Sequence, residues 1–376
     1  MTLFFFLSFA IGFKKTQSVK SPLYHVLMIS FMLWITLATY NAQFQDFAWI
    51  KYDYVIKTLF FAYFIPFTLT SRDKIEAFVL TCLASYGTFI FTAGVKTLFG
   101  GGGYNISLVG GSSFIYSEGS MLSTLAVSML PLFAFAMSKS LMVERMFHFK
   151  WIMFGLSLCS VLTVIGTQAR TGLVVIAFYA SIILFKTKHK FKMGIFIALI
   201  PLLIFAVAPA SWFERMSSLE SGEVTTSEAS AVGRLVVWRW TLDYVSERPL
   251  MGGGFYSYLA NGGVLHRYAE EGETEIRQPD GKAFHNIFFE VLGETGYVGL
   301  LFFCGIIGHM WLLNSKSSKK QFSNPATVEW AISLKNGINV SLAIYCIGGL
   351  FVGIAFYPWM YYLYGVSIAI DSLNEE

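Results

Sequence analysis

Long apolar runs alternate with short polar segments along most of the 376 residues. A helix needs about 20 apolar residues to cross a hydrocarbon core about 30 Å thick. Runs of about this length lie at 21–40, 53–70, 75–93, 119–137, 151–168, 171–185, 193–210, 297–313, 334–355 and 357–371. A membrane barrel would show alternating strands of about ten residues instead. The pattern therefore predicts an all-α, polytopic membrane bundle of about 10–12 helices, in which the two shortest runs need flanking residues to cross.

Composition supports a membrane protein, because 55% of the residues are hydrophobic and only 13% are charged, against about 25% charged in an ordinary soluble domain. The first residues, MTLFFFLSFAIGF, have neither a basic leader nor a small-residue cleavage site, so we expect a shortened amino terminus rather than a signal peptide. The four cysteines lie within apolar runs without CxxC spacing, which favours neither disulfides nor a metal site.

Basic residues mark one side of the membrane. They cluster at Lys14, Lys15 and Lys20, at Arg72 and Lys74, at Lys139, Arg145 and Lys150, at Lys186, Lys188, Lys190 and Lys192, and at Lys316, Lys319 and Lys320. These clusters fall in every second loop, which the positive-inside rule places in the cytoplasm. The net charge of +4 thus reports orientation and gives no reason to expect nucleic acid as a partner.

The alternate loops are then external, and two of them, 94–118 and 211–284, are long. We predict transmembrane helices with short loops in 1–210, a partly helical periplasmic loop domain in 211–284, and C-terminal transmembrane helices in 285–376. Within the second loop, GRLVVWRWTLDYVSERPLMGGG predicts an amphipathic helix over about 234–247 that lies on the membrane surface. Its apolar face is expected to hold Leu235, Trp238, Leu242 and Val245, and an i,i+4 ladder to join Arg239, Asp243 and Glu247.

Two of the six histidines, His266 and His285, are external on this topology. His285 comes directly before a membrane run, beside Asn286, whereas His266 lies in a polar stretch. We therefore favour His285 as a group that could accept a proton near neutral pH. An interfacial histidine with a structural role is the alternative.

External arginines are candidates for binding an anion. Arg170 lies in the tight turn TQARTG, where the positive-inside rule disfavours a charge, and Arg234 begins the amphipathic helix. Arg215 in WFERM is a third candidate, with Glu214 as a structural partner that would explain it otherwise. Several outward arginines favour an anionic lipid headgroup, and a diphosphate suits bidentate guanidinium groups.

Two carboxylates follow His285 at helical spacing. Glu290 lies four residues after Asn286, and Glu294 lies four after Glu290, so all three share a helix face. One of these glutamates could orient His285 or a sugar hydroxyl, and the spacing does not say which. No Asp-x-Asp or similar ligand cluster is external, so we expect neither a metal nor another cofactor.

These motifs resemble the O-antigen ligase and polymerase superfamily. "HN", nine residues and "GYVG" (His285, Asn286, Gly296, Gly299) match its signature, and TQARTG, GRLVVWRW and RPLMGGGF precede it in the expected order. LFGGGGYNISLVGGSSF is similar to the branch of O-glycosylation ligases associated with the exosortase A system. That branch tends to carry Asp-Asn-Asn where this chain has YSEGS, so Glu118 is the expected substitute. The family usually begins with further membrane segments.

The resemblance implies a metal-independent, inverting glycosyltransferase with a GT-C-like helical fold in the bacterial inner membrane. Its donor would be a glycan on undecaprenyl diphosphate, bound by Arg170 and Arg234 on the periplasmic face. His285 would take the proton of an acceptor hydroxyl, and the helix of 234–247 would cover the lipid headgroup.

The acceptor stays open between a protein hydroxyl, a sugar of the lipid A core and the end of another glycan, so a ligase and a polymerase are both possible. A lipid or polysaccharide transporter is a third alternative, but it should show inverted repeats and midplane charges. Here the polar groups gather on one side, which favours catalysis.

Overall fold

The computed structural model describes residues 18–99, 118–145, 147–192, 194–195, 226–269, 281–316, 318 and 321–373. Within these ranges the chain forms helices joined by turns and has no β-strand. The helices are α1 (Pro22–Tyr40), α2 (Gln45–Thr68), α3 (Arg72–Leu98), α4 (Gly119–Lys139), α5 (Leu141–Arg145), α6 (Phe147–Gly166), α7 (Arg170–Lys186), α8 (Thr226–Ser246), α9 (Ile287–Ser315), α10 (Pro325–Gly349) and α11 (Pro358–Ser372). Two 3₁₀ turns, Ser257–Asn261 and Leu265–Tyr268, follow α8.

Five of the described helices, α1, α3, α4, α6 and α9, are long and apolar enough to cross a membrane. The prediction of an all-α, polytopic membrane protein is confirmed. The run predicted at 193–210 lies outside the described residues except for 194 and 195.

Helix α4 occupies the centre of the bundle and is almost entirely buried. It packs against α6, α7 and α10, while α11 packs against α2 and α9 against α1. One hydrophobic core therefore includes side chains from all of these helices except α8, whose buried residues form a separate cluster. Because helices from both ends of the chain interleave, polar residues far apart in sequence meet where the helices begin and end.

Helix α9 begins ten residues before the predicted run at 297–313. Gly296 interrupts it with φ 69° and ψ −172°, so that the uninterrupted part begins at Tyr297. The segment after α8 explains this kink, because Tyr297 N donates to the Pro249 carbonyl at 2.9 Å. A Cβ on Gly296 would lie 2.1 Å from the Leu250 carbonyl oxygen, so only glycine fits.

The prediction of a membrane run over 334–355 was wrong at both ends, since α10 spans Pro325–Gly349. Asn324 caps it by accepting from Ala326 N at 2.9 Å, and a proline at its first position favours an early start. Beyond Gly349 the backbone leaves the helix and bonds elsewhere, as Ala355 N donates to Glu290 Oε2 at 3.0 Å.

The predicted helix over about 234–247 lies within α8, which also has an apolar face turned toward the protein that the sequence did not predict. Helix α8 buries Val236, Val237 and Trp240, which pack with Phe284 and the second 3₁₀ turn. Two members of the predicted apolar face, Leu235 and Leu242, point away from the protein and are 45% and 49% exposed. The predicted charge ladder is joined by Tyr268, whose hydroxyl donates to Asp243 at 2.5 Å and whose carbonyl accepts from Arg239 at 3.3 Å.

Candidate active site

The segment that carries His285 is held on two sides. Lys282 N donates to Asn261 Oδ1 at 2.7 Å, and Asn261 Nδ2 donates back to the Lys282 carbonyl at 2.8 Å. Trp238 Nε1 of α8 donates to the Phe284 carbonyl at 2.9 Å. His285 itself has a φ of 48°, in the left-handed region. That conformation costs of order 1–3 kcal/mol and persists where surrounding contacts enforce it, as these hydrogen bonds do.

Asn286 fixes where α9 begins. Its Oδ1 accepts from Phe288 N at 2.8 Å and from Phe289 N at 3.3 Å, which satisfies amide groups of the first helical turn. Its Nδ2 donates to the Leu350 carbonyl at 3.3 Å, so the cap is also tied to the segment after α10. Asn286 therefore caps the helix and holds the preceding residue, His285, just outside it.

The surroundings of His285 favour a neutral imidazole. Burial lowers its pKa, and the charges of Arg234 and Lys282 act in the same direction. Glu118 and Glu290 oppose them by favouring the charged form. With a pKa below the ordinary histidine value of about 6.5, the ring is neutral at pH 7 and able to accept a proton.

Arg234 and Lys282 place two cations beside this ring. Arg234 Nε is buried, and no hydrogen-bond partner for it is found among the residues that the structure describes. Burial lowers the pKa of Lys282, and the nearby charge of Arg234 lowers it further. A buried donor without a partner costs about 1–3 kcal/mol. An anionic ligand would satisfy both groups and relieve their mutual repulsion.

Arg170 lies at the same end of the bundle. It is the first residue of α7, and the next residue, Thr171, donates through Oγ1 to Ser120 Oγ at 3.4 Å. Ser120 follows Glu118, the N-cap of α4, by two residues. Because Glu118 acts on His285, the start of α7 and the histidine segment lie around the start of α4. The positive end of the α7 dipole adds to the charge of Arg170 there.

Both glutamates of α9 face Lys51 of α2. Lys51 Nζ lies 2.8 Å from Glu290 Oε1 and 2.7 Å from Glu294 Oε2. The sequence left open which carboxylate orients His285. In the structure, both carboxylates form ion pairs with Lys51, and the charge of Glu290 also acts on His285.

Two other candidates are less central. Arg215 lies outside the described residues, so its role stays a prediction. His266 is exposed in the turn Leu265–Tyr268, whereas His285 is partly buried and lies among charged groups. No group of three or more His, Cys, Asp or Glu side chains in the described part of the chain could hold a metal ion.

Two family models match parts of the chain. Residues 155–304 match the family described as O-Antigen ligase, and residues 1–141 match a family of unknown function (DUF5935). The first match includes Arg170, Arg234 and His285 and supports the superfamily, a glycosyltransferase-like ligase or polymerase role in a membrane, and lipid-linked glycan substrates. No curated protein matches the chain in a sequence search.

Sequence reasoning missed Lys51, Lys282 and Asn261. A signal existed for the two lysines, because both fall between predicted membrane runs, on the side that the positive-inside rule assigns to the exterior, where lysine is disfavoured. Asn261 has no such signal, since its function depends on hydrogen bonds to a segment 21 residues away.

Proposed function

We propose that this protein is a bacterial inner-membrane glycosyltransferase that transfers a glycan from undecaprenyl diphosphate to an acceptor hydroxyl on the periplasmic face. The observation that carries the proposal is the cluster of Arg234, Lys282 and His285 within a segment that matches the O-Antigen ligase family. Two cations with an unsatisfied buried donor suit a diphosphate, and a neutral imidazole beside them suits a proton acceptor.

On the donor side, Arg170 and Arg234 bind the diphosphate, and Arg215 is a third candidate for the same role. Lys282 adds a positive charge that the sequence did not reveal. These charges stabilise the diphosphate as it leaves, which is where negative charge develops in the transition state. Helix α8 covers the headgroup, and its outward Leu235 and Leu242 contact the membrane surface.

On the acceptor side, His285 takes the proton from a hydroxyl whose oxygen attacks the anomeric carbon. The new glycosidic C–O bond forms as the bond from that carbon to the diphosphate oxygen breaks, and the electron pair leaves with undecaprenyl diphosphate. A single displacement inverts the anomeric centre and uses no metal ion. The proton held by His285 then passes to water.

For the acceptor, we propose a protein hydroxyl, as in the O-glycosylation ligases of the exosortase A system that the glycine-rich segment resembles. A polymerase would use the same donor site and differ in its acceptor, the end of another glycan. The polar groups gathered around the start of α4 favour either enzyme over a transporter.

The test compares cells that lack the gene and are supplied with the wild type, Arg170→Ala or His285→Ala. We expect glycan transfer to fall about 10²–10⁴-fold in the His285 variant and to be lost in the Arg170 variant, with unchanged amounts of membrane protein. Mass spectrometry of periplasmic proteins and of lipid A, with gel analysis of polysaccharide length, identifies the acceptor.

Arg267→Ala and His266→Ala are matched controls, because both side chains are exposed in the same external loop. They should transfer glycan normally. Normal transfer by both Arg170→Ala and His285→Ala would refute the proposed function.

A further inference from the structure

A buried ion cluster, formed by Lys51, Glu290 and Glu294, lies beside the candidate site. The Lys51 ammonium binds both carboxylates at 2.7–2.9 Å. The side chains of Glu290 and Glu294 are 10% and 1% exposed, and that of Lys51 is 18% exposed. Buried ion pairs of this kind are costly to form, so they often indicate a role other than stability.

The cluster joins two further segments. Glu290 Oε2 accepts from Ala355 N at 3.0 Å, in the turn between α10 and α11. Glu294 Oε1 accepts from Tyr256 N at 3.1 Å, directly after the RPLMGGGF motif. Tyr256 has a φ of 60°, a left-handed conformation that this contact helps to hold. One lysine of α2 thus anchors both loops that flank the first turns of α9.

Aromatic rings surround the ammonium group. Lys51 Nζ lies 5.0 Å from the ring centre of Phe356, 5.3 Å from that of Phe255 and 5.8 Å from that of Tyr256. With two carboxylates and three rings around it, the ammonium is already coordinated by the protein. This arrangement fits a group that acts through its neighbours better than one that binds substrate.

The connection to the histidine runs through the first turn of α9. Glu290 N donates to the Asn286 carbonyl at 2.8 Å, and the Glu290 carboxylate is one of the charges that act on His285. We propose that Lys51 is a positioning residue for His285: by holding Glu290 and Glu294, it fixes the start of α9 and limits the negative charge that the imidazole experiences. The inference rests on the proposed function for its catalytic meaning.

The effect of Lys51 on the charge around His285 predicts the direction in which the pKa of His285 should change when Lys51 is removed. The charged groups facing His285 are Glu118 at the start of α4, Arg234 of α8, Lys282 on its own segment and Glu290 of α9. Lys51 offsets the last of these. Its removal leaves Glu290 less compensated, so the imidazolium is favoured and the pKa of His285 rises.

The experiment measures the titration of His285 without any substrate. Purified full-length protein in lipid nanodiscs is treated with diethyl pyrocarbonate, which modifies neutral imidazole, and the modified His285 peptide is quantified by mass spectrometry between pH 5 and 8. In Lys51→Met, the pH at which His285 is half-protonated should move to a higher value. At pH values below this midpoint, the rate of His285 modification should therefore fall about threefold or more. Lys51→Arg should keep the wild-type half-point.

Lys57→Met is the matched control, because Lys57 lies on the same helix in an exposed pair with Asp53. It should leave the His285 titration unchanged. Should Lys51→Met not accumulate in the membrane, Glu290→Gln takes its place and should move the half-point to lower pH, since it removes a carboxylate.

An unchanged His285 titration in Lys51→Met, or in Glu290→Gln where that variant is used, would overturn the inference. This readout does not require glycan transfer. A failure of the proposed function would therefore appear in the transfer assay alone, whereas a failure of the inference would appear in the titration.

Discussion

Two buried charged clusters lie at opposite ends of α4. At its far end, both oxygens of Glu76 accept hydrogen bonds, from Arg72 Nε at 2.9 Å and from Ser140 Oγ at 2.7 Å. Arg72 Nη2 also donates to the Lys139 carbonyl at 3.3 Å. At the near end, Arg234 Nε has no hydrogen-bond partner within the described ranges.

Under the proposed function, this difference separates a cluster with a structural role from a cluster that binds the diphosphate. The Arg72 cluster is satisfied by its own chain, so it needs no ligand. The Arg234 cluster holds like charges together beside His285, which is unfavourable until an anion arrives. The 21 residues of α4 span roughly 30 Å, about the thickness of the hydrocarbon core, so the two clusters suit opposite membrane surfaces.

The largest effect that we predict comes from replacing the arginine of each cluster in turn and comparing the losses of stability and of glycan transfer. Arg72→Met leaves Glu76, which is fully buried, without its cation and should cost about 3–5 kcal/mol of stability. Arg234→Met should leave stability unchanged or higher, while transfer falls about 10²-fold or more. Thermal unfolding in detergent and the transfer assay measure the two effects.

Arg145→Met, which removes an exposed arginine beyond α4, is the control and should change neither quantity. A loss of stability in Arg234→Met equal to that of Arg72→Met would show that both clusters are structural.

A smaller predicted effect is on the pH dependence of glycan transfer, which also tests the charges of the Arg234 cluster. Burial holds the pKa of His285 low, with Arg234 and Lys282 acting in the same direction, so activity should persist to below the ordinary histidine value of about 6.5 and fall as the ring becomes protonated. Lys282→Met removes a positive charge and should move this acid limb to higher pH.

The rate of glycan transfer as a function of pH measures the limb, and Arg267→Met is the matched control because Arg267 is exposed. A limb that moves to lower pH in Lys282→Met would contradict the electrostatic assignment, since loss of a nearby cation can only favour the protonated ring.

The bounds of a membrane helix were predictable from the sequence where the apolar composition of the segment alone determines them. The run at 119–137 corresponds to α4 (Gly119–Lys139), and that at 21–40 corresponds to α1 (Pro22–Tyr40). In these segments every backbone polar group bonds within the helix and apolar side chains suit the hydrocarbon, so local composition carries the information.

The candidate site was predictable only in part. Arg234 and His285, whose charges interact in the structure, were candidates because unusual residues at a membrane surface stand out in the sequence. The partners of Glu290 and Glu294 were not, because Lys51 lies 239 and 243 residues away and only tertiary packing brings it near. The buried face of α8 was missed for the same reason, since contact with Phe284 selects the side that holds Trp240.

The smallest effect that we predict compares two helix caps. Asn286 and Asn324 each accept from amides of the helix that follows, α9 and α10 respectively. Replacing either with alanine should cost about 1 kcal/mol of stability, measured by thermal unfolding in detergent. Only Asn286→Ala should also slow transfer, because it frees the start of α9 and so the position of His285. Equal transfer by the two variants would mean that the Asn286 cap stabilises the helix without positioning the histidine.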